Sequence, residues 1–258
     1  MVEALRSLER LLLPNSCVAC GRLAGRASPD ALVCALCSSR LRVVPVGCKR
    51  CAQPLPPVGP CRFCADWPET LSHVRSAVWL GDEAREIVHY LKYEGYTKLA
   101  RLAAQSIARV IPRPHSAVLV PVPLSRRRLR HRCYNQAEVI ARELGRTWDV
   151  PCDSGLLIRT RDTKTQTALT PDERNSNVAG AFFASPALSP RAEASSIILI
   201  DDAHYRCNAS GGSGGPARGR LVGCGRGDVC ASITVRGPCG SRRAVLDLST
   251  RILSTRSR

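Results

Sequence analysis

Aromatic residues are scarce in this sequence: Phe, Trp and Tyr together make up 4% of 258 residues. A surface that grips single-stranded nucleic acid through stacking needs several rings, so composition speaks against a general stacking protein. No run of about 18 apolar residues occurs, and no helical membrane span is expected. The opening stretch MVEALRSLERLLLPN breaks its leucines with Glu3, Arg6, Glu9 and Arg10. It therefore lacks the apolar centre of a secretory leader and reads as a short amphipathic helix, with a cytoplasmic protein to follow. The first 64 residues contain no His, which excludes mixed His/Cys metal sites there.

Basic charge, in contrast, is abundant. The net charge is +17, a balance that invites polyanionic partners. Its distribution is uneven. From Ala203 onward there are ten Arg, no Lys, and only Asp228 and Asp247 to oppose them, a surplus of +8 that leaves +9 for residues 1–202. The same stretch holds ten of the 19 glycines. Composition thus changes abruptly after Asp202, and residues 203–244, dense in Gly and without helical periodicity, are expected to be mostly irregular.

Cysteine is plentiful and ordered. Eight of the 14 cysteines form four CxxC pairs: Cys17/Cys20, Cys34/Cys37, Cys48/Cys51 and Cys61/Cys64. Two residues between thiolates let one tight turn aim both sulfurs at one ion, and two turns complete a tetrahedral S₄ zinc site. A disulfide framework is the plain alternative, but it belongs to secreted chains. A redox CxxC lacks its thioredoxin-like surroundings. Sequential pairing puts Cys17, Cys20, Cys34 and Cys37 on one ion and Cys48, Cys51, Cys61 and Cys64 on the other; interleaved pairing fits the same spacings. With no open position, both sites are structural, and little else in this segment offers a core. Cys133 and Cys152 read as small buried residues.

Beyond Trp67 the pattern becomes α/β. DEAREIVHYLKY places Ile87, Val88 and Leu91 on one helical face, and TKLARLAAQSIARVI repeats the period until Pro112. AVLVPVP and IILI (197–200) read as strands buried on both faces, and NQAEVIARELGRT as a helix. This alternation predicts a parallel sheet with helices, Ile197–Ile200 being central. Two features carry candidate chemistry. A basic loop after the first of these strands holds Arg126, Arg127, Arg128, Arg130 and Arg132, guanidinium forks suited to phosphate or pyrophosphate. Its plain alternative is a solvated basic face. Asp201 and Asp202 end the later strand, where ligands of such sheets bind; they suit ribose hydroxyls or a Mg²⁺ held mainly by substrate oxygens, or else nothing at all.

Taken together, the four CxxC pairs, IVHYLKYEGYTKLARLAA, VPVPLSRRRLRHRCYNQAEVIARELG, RDTKTQTALTPDERNSNVAGAF and IILIDD resemble the ComF family. That resemblance covers roughly residues 11–202. It implies an N-terminal double zinc ribbon (1–67), a type I phosphoribosyltransferase-like domain (68–202), and an association with competence and DNA uptake or nucleotide metabolism. The implied sugar donor is phosphoribosyl pyrophosphate (PRPP) with Mg²⁺. Asp201 and Asp202 would take catalytic roles at the ribose, Arg126–Arg128 would meet pyrophosphate, and Arg174 and Asn177 would contact substrate from a mobile cover.

The family's acidic pair leads into a Thr-Thr-Gly-Ala-Thr loop for the 5-phosphate. Here Ala203-His204-Tyr205-Arg206-Cys207-Asn208-Ala209 stands instead. Codons compatible with His-Tyr-Arg-Cys-Asn-Ala-Ser, read one base on, encode Ile-Thr-Gly-Ala-Thr-Leu. The expectation is a chain that leaves the family's reading frame after Asp202, continues as an aberrant basic tail (203–258), and has lost transferase activity. A second expectation is a zinc-ribbon module that binds single-stranded DNA without catalysis, with other competence proteins as partners.

Overall fold

The computed structural model describes residues 16–24, 32–45, 47–52, 55, 59, 61, 64–65, 71–162, 181–185, 196–204 and 229–236. The first regular element is a single turn, α1 (Ala35–Ser39), whose N-cap Cys34 accepts the backbone N–H of Cys37 through its side chain. Strand β1 (Leu71–Trp79) follows. Helix α2 (Asp82–Tyr93) carries Asp82 and Glu83 in its first turn and Lys92 in its last, the arrangement its dipole favours. Helix α3 (Leu99–Val110) buries Leu99, Ala100, Ala104 and Ile107. All five residues of β2 (Ala117–Pro121) are buried.

After β2 comes α4 (Arg126–Arg132), where the sequence led us to expect a loop. Ser125 explains the difference: it is an N-cap whose hydroxyl accepts the Arg128 N–H at 3.4 Å. Helix α5 (Gln136–Trp148) begins at Asn135, which caps it through the Ala137 N–H at 3.1 Å. Strands β3 (Leu157–Arg159) and β4 (Phe182–Ala184) pair antiparallel in a small separate ribbon. Strand β5 (Ser196–His204) and strand β6 (Val229–Arg236) complete the described elements.

The main sheet has the order β1-β6-β5-β2. Strands β2 and β5 are parallel, with Leu119 opposite Ile198 and Pro121 opposite Ile200. Strand β6 runs antiparallel to both β5 and β1. The sheet is therefore mixed, which corrects the expectation of a parallel one; an apolar run reports burial but not the direction of its neighbour. Of the stretch 203–244, the described residues are strand: β5 runs on past Asp202 to His204, and β6 covers Val229–Arg236; the rest of that stretch lies outside the described residues. Strand β5 is interior, between β6 and β2.

Alternation along the strands divides the core in two. Leu119, Ile198 and Ile200 face the helices, where they meet Ile107, Ile140 and Leu144. Val118, Val120 and Ile197 face the other way, onto Leu157 with Phe182 and Leu199 alongside. Gly145 lets α5 approach the chain beyond its end: a Cβ there would lie 2.7 Å from the Val150 carbonyl oxygen.

The cysteine-rich segment joins this body through backbone. Val44 N–H donates to Ala77 O (3.1 Å) and Trp79 N–H to Arg42 O (2.8 Å), so Arg42–Val44 covers the outer edge of β1. Cys17, Val33 and Cys37 share the core that holds Ala77, Val78 and Ile87. The first cluster therefore does not depend on metal alone for a core, whereas among the described residues Cys48, Cys51, Cys61 and Cys64 pack only on one another. Among the described residues, no helix is long and apolar enough to cross a membrane.

Candidate functional site

Four sulfurs converge in each of two places, from Cys17, Cys20, Cys34 and Cys37, and from Cys48, Cys51, Cys61 and Cys64; within each group all lie within 4.8 Å of one another. The pairing is sequential. A tetrahedral zinc with bonds of about 2.3 Å sets its sulfurs roughly 3.8 Å apart. The observed separations are 3.9 Å for Cys20–Cys34, 3.7 Å for Cys48–Cys64 and 3.5 Å for Cys51–Cys61. Both clusters fit one zinc each.

Backbone donors prepare the sulfurs for charge. Cys34 N–H donates to Cys17 Sγ at 3.3 Å, Cys37 N–H to Cys34 Sγ at 3.4 Å, and Arg50 N–H to Cys48 Sγ at 3.4 Å. Burial pushes the Cys17 thiol up, but the N–H groups of Cys34, Ala19 and Cys20 outweigh it and bring it from 9.0 to about 7. Cys48 likewise resists its burial and falls to about 7 through the Cys51 and Arg50 N–H groups. Burial and neighbouring thiols push Cys37 up strongly and Cys64 to about 11. One thiol per cluster is thus ready to ionise at neutral pH, while Cys37 and Cys64 need a cation to release their protons. Zinc bound there would cross-link the CxxC turns. Arg50 ties the second cluster to β1, donating to Leu71 O (3.3 Å) and Cys64 O (3.0 Å).

The remaining cysteines differ from one another. Cys133 is exposed, not buried as expected, because it sits in the left-handed position (φ 64°) that ends α4. Cys152 is half-buried, and burial pushes its thiol up to about 11.

At the carboxyl end of β5 the two aspartates point to opposite faces. Asp202 continues the helix-facing series of Ile198 and Ile200 and is 4% exposed. Its Oδ2 forms an ion pair with Lys92 Nζ from α2, and its Oδ1 accepts Gln136 Nε2 from α5 at 2.9 Å. Burial opposes its charge, yet Lys92, helped by Gln136, holds Asp202 below the usual carboxylate range. Asp201 lies on the other face, partly exposed, and accepts the Asp202 N–H at 2.8 Å. Burial and the charge of Asp202 push its carboxyl well above the usual range.

Arg159, on β3, completes that face. It donates to Pro123 O at 3.5 Å and lies 5.0 Å over the Phe182 ring. Burial and Arg128 both disfavour its charge, while Asp162 and Asp201 support it. Arg159 is thus within electrostatic reach of Arg128 and Asp201. Arg126 and Arg127 stay exposed on α4, and Arg174 and Asn177 lie outside the described residues. Lys92, Gln136 and Arg159 were not foreseen; only their long-range contacts give them a role.

The acidic pair does not fit a resident divalent cation. An ammonium already sits at Asp202.

Comparison with known proteins bears on both regions. The competence protein ComFC of Bacillus subtilis (strain 168) is 31% identical over 185 residues, covering 67% of this chain and 72% of that protein. The chain belongs to the ComF family. The family assignment accounts for the two Cys₄ clusters ahead of an α/β body. The DNA utilization protein YhgH of Escherichia coli (strain K12) is 24% identical over 178 residues, 66% of this chain and 77% of its own length. Competence protein F of Haemophilus influenzae is 32% identical over 85 residues, 33% of this chain and 37% of its own. No family model and no solved structure matches the chain.

Proposed function

We propose that this chain is a DNA-uptake protein whose phosphoribosyltransferase-like body transfers no phosphoribosyl group. The names of its relatives, competence and DNA utilization proteins, support the first half. One observation carries the second: Asp202, the residue expected at the ribose, already has both carboxylate oxygens engaged by Lys92 and Gln136. Ribose hydroxyls would have to share a buried carboxylate that already holds two donors.

The sequence after Asp202 adds to this reading. A 5-phosphate needs preorganised donors, and each charge-assisted hydrogen bond contributes roughly 1.5–3 kcal/mol. Without the Thr-rich loop, three such donors are missing, which weakens PRPP binding by about three powers of ten or more. A reading-frame change after Asp202 accounts for that loss and for the Arg/Gly-rich tail. In this view residues 1–67 are a zinc-ribbon unit, 68–202 the transferase-like unit and 203–258 an added tail, in a reducing cytoplasm that keeps eight thiols available.

Calorimetry on the zinc-loaded chain with PRPP and Mg²⁺ tests the reading. No measurable binding is expected, and a chain restored to the adjacent frame after Asp202 should gain it. Tight binding by the present chain, abolished by Asp201→Asn, would overturn the proposal.

A further inference from the structure

The two Cys₄ sites are fastened to the sheet in different ways. The first is embedded: Cys17 and Cys37 lie in the core that holds Ala77, Val78 and Ile87. At the second, among the described residues, the cysteines pack only on one another. Hydrogen bonds take the place of apolar contact there, and Arg50 is their hub. Its guanidinium donates to Leu71 O on β1 at 3.3 Å and to Cys64 O at 3.0 Å. Its backbone N–H donates to Cys48 Sγ at 3.4 Å, and its carbonyl accepts the Val74 N–H at 2.8 Å. Arg75 adds a tie from β1, donating to the Lys49 carbonyl and to Val74 O at 2.9 Å.

Charge and geometry make these ties depend on metal. Four thiolates around one Zn²⁺ carry a net charge of about −2. Arg75 is within electrostatic reach of Cys48 and Cys51, and Arg50 lies inside the Cys48/Cys51 pair itself. The ion is what joins the Cys61/Cys64 pair to the Cys48/Cys51 pair. With the pairs apart, Arg50 cannot hold Cys64 and Leu71 together.

We propose that the Cys48/Cys51/Cys61/Cys64 site is a metal-responsive clasp, in which Arg50 couples zinc occupancy to the docking of Leu71–Arg75, the first half of β1. Such coupling is reciprocal: zinc steadies the strand by the same factor by which the docked strand tightens zinc. Arg50 is a positioning residue here, not a ligand. Groups that orient metal ligands are worth about 10- to 100-fold in metal affinity, and the same factor is expected in the opening of the strand. The clasp concerns zinc alone, so PRPP calorimetry does not bear on it.

Hydrogen exchange read by mass spectrometry and zinc competition against a chelator, both on the full reduced chain, test it. In the zinc-loaded Cys61→Ser chain the second site lacks a ligand, and the Leu71–Arg75 amides should exchange about 10- to 100-fold faster than in the parent. In Cys20→Ser, which removes a ligand of the first site, they should stay as protected as in the parent. Arg50→Met keeps an aliphatic stem and removes the guanidinium. It should weaken zinc at the second site by about 10- to 100-fold and leave the first unchanged, the Cys20→Ser and Cys61→Ser chains telling the sites apart. Arg42→Met, at an exposed residue whose carbonyl also accepts from β1 at Trp79, should alter neither. Three outcomes would overturn the proposal: unchanged exchange of Leu71–Arg75 in Cys61→Ser, equal loosening in Cys20→Ser, or unchanged zinc affinity of the second site in Arg50→Met. The last of these needs no cysteine variant to fold, since two-step zinc loss is read on the parent and on Arg50→Met alike.

Discussion

Replacing Lys92 by Met probes the contact that decides how Asp202 is read. The Lys92 and Asp202 side chains are 19% and 6% exposed, so the pair is largely withdrawn from water. Methionine keeps most of the aliphatic stem and removes only the ammonium. Breaking a buried pair this way costs about 3–5 kcal/mol, because the remaining charge is left uncompensated. Protonation sets a ceiling on that cost. An aspartate with an unfolded value near 3.9 can be neutralised at pH 7 for roughly 4 kcal/mol, and at pH 6 for about 3. In the parent, Lys92 holds the Asp202 value below its unfolded one, so the pair's stabilisation is full above about pH 4 and fades as pH falls through the lowered folded value. In the variant the sign reverses: Asp202 rises above its unfolded value, and the deficit shrinks as pH falls from 7 to 6. Urea denaturation with zinc saturating measures both. Lys92→Met should lose about 3–4 kcal/mol at pH 7 and near 1 kcal/mol less at pH 6, and adding Asp202→Asn should recover much of the loss. A loss under about 1 kcal/mol, or full additivity in the double variant, would refute a buried ion pair at this position.

Metal analysis of reduced protein should find about two zinc ions per chain, and Cys34→Ser or Cys48→Ser about one each. Gly145→Ala should destabilise by about 1–3 kcal/mol although Ala favours helix, because its Cβ would meet the Val150 carbonyl oxygen at 2.7 Å; a stabilised variant in a thermal melt would contradict the packing of α5.

What local pattern can express was legible beforehand. The CxxC spacings marked both metal clusters, helical periodicity marked α2, α3 and α5, and unbroken apolar runs marked β2 and β5. What depends on distant partners was not. Strand β1, LSHVRSAVW, carries His73 and Arg75 within it and pairs with β6 across more than half the chain. Helix α4 offers no apolar stripe, since its single apolar residue, Leu129, is exposed; only Ser125 signalled a helix start. Nothing in the sequence shows that α2 and α4 bring Tyr93 beside Arg132.

The two aspartates illustrate the same limit at atomic scale. Adjacent residues on a strand start toward opposite faces, yet at the end of β5 the Asp201 and Asp202 carboxylates still interact with each other. The core-facing carboxylate becomes a tie between β5, α2 and α5. The other is left within electrostatic reach of Arg159, with its own charge disfavoured. The result is a cationic surplus at the strand end, and α4 continues it outward through Arg126, Arg127 and Arg130. Such a field attracts any phosphate and falls off with salt. Selecting a sugar phosphate requires donors fixed at its oxygens, which the Thr-rich loop would provide. Removing that loop while keeping the arginines therefore separates two properties that the intact family motif combines. On the function proposed above, general attraction for polyanions survives and recognition of one small phosphorylated sugar does not.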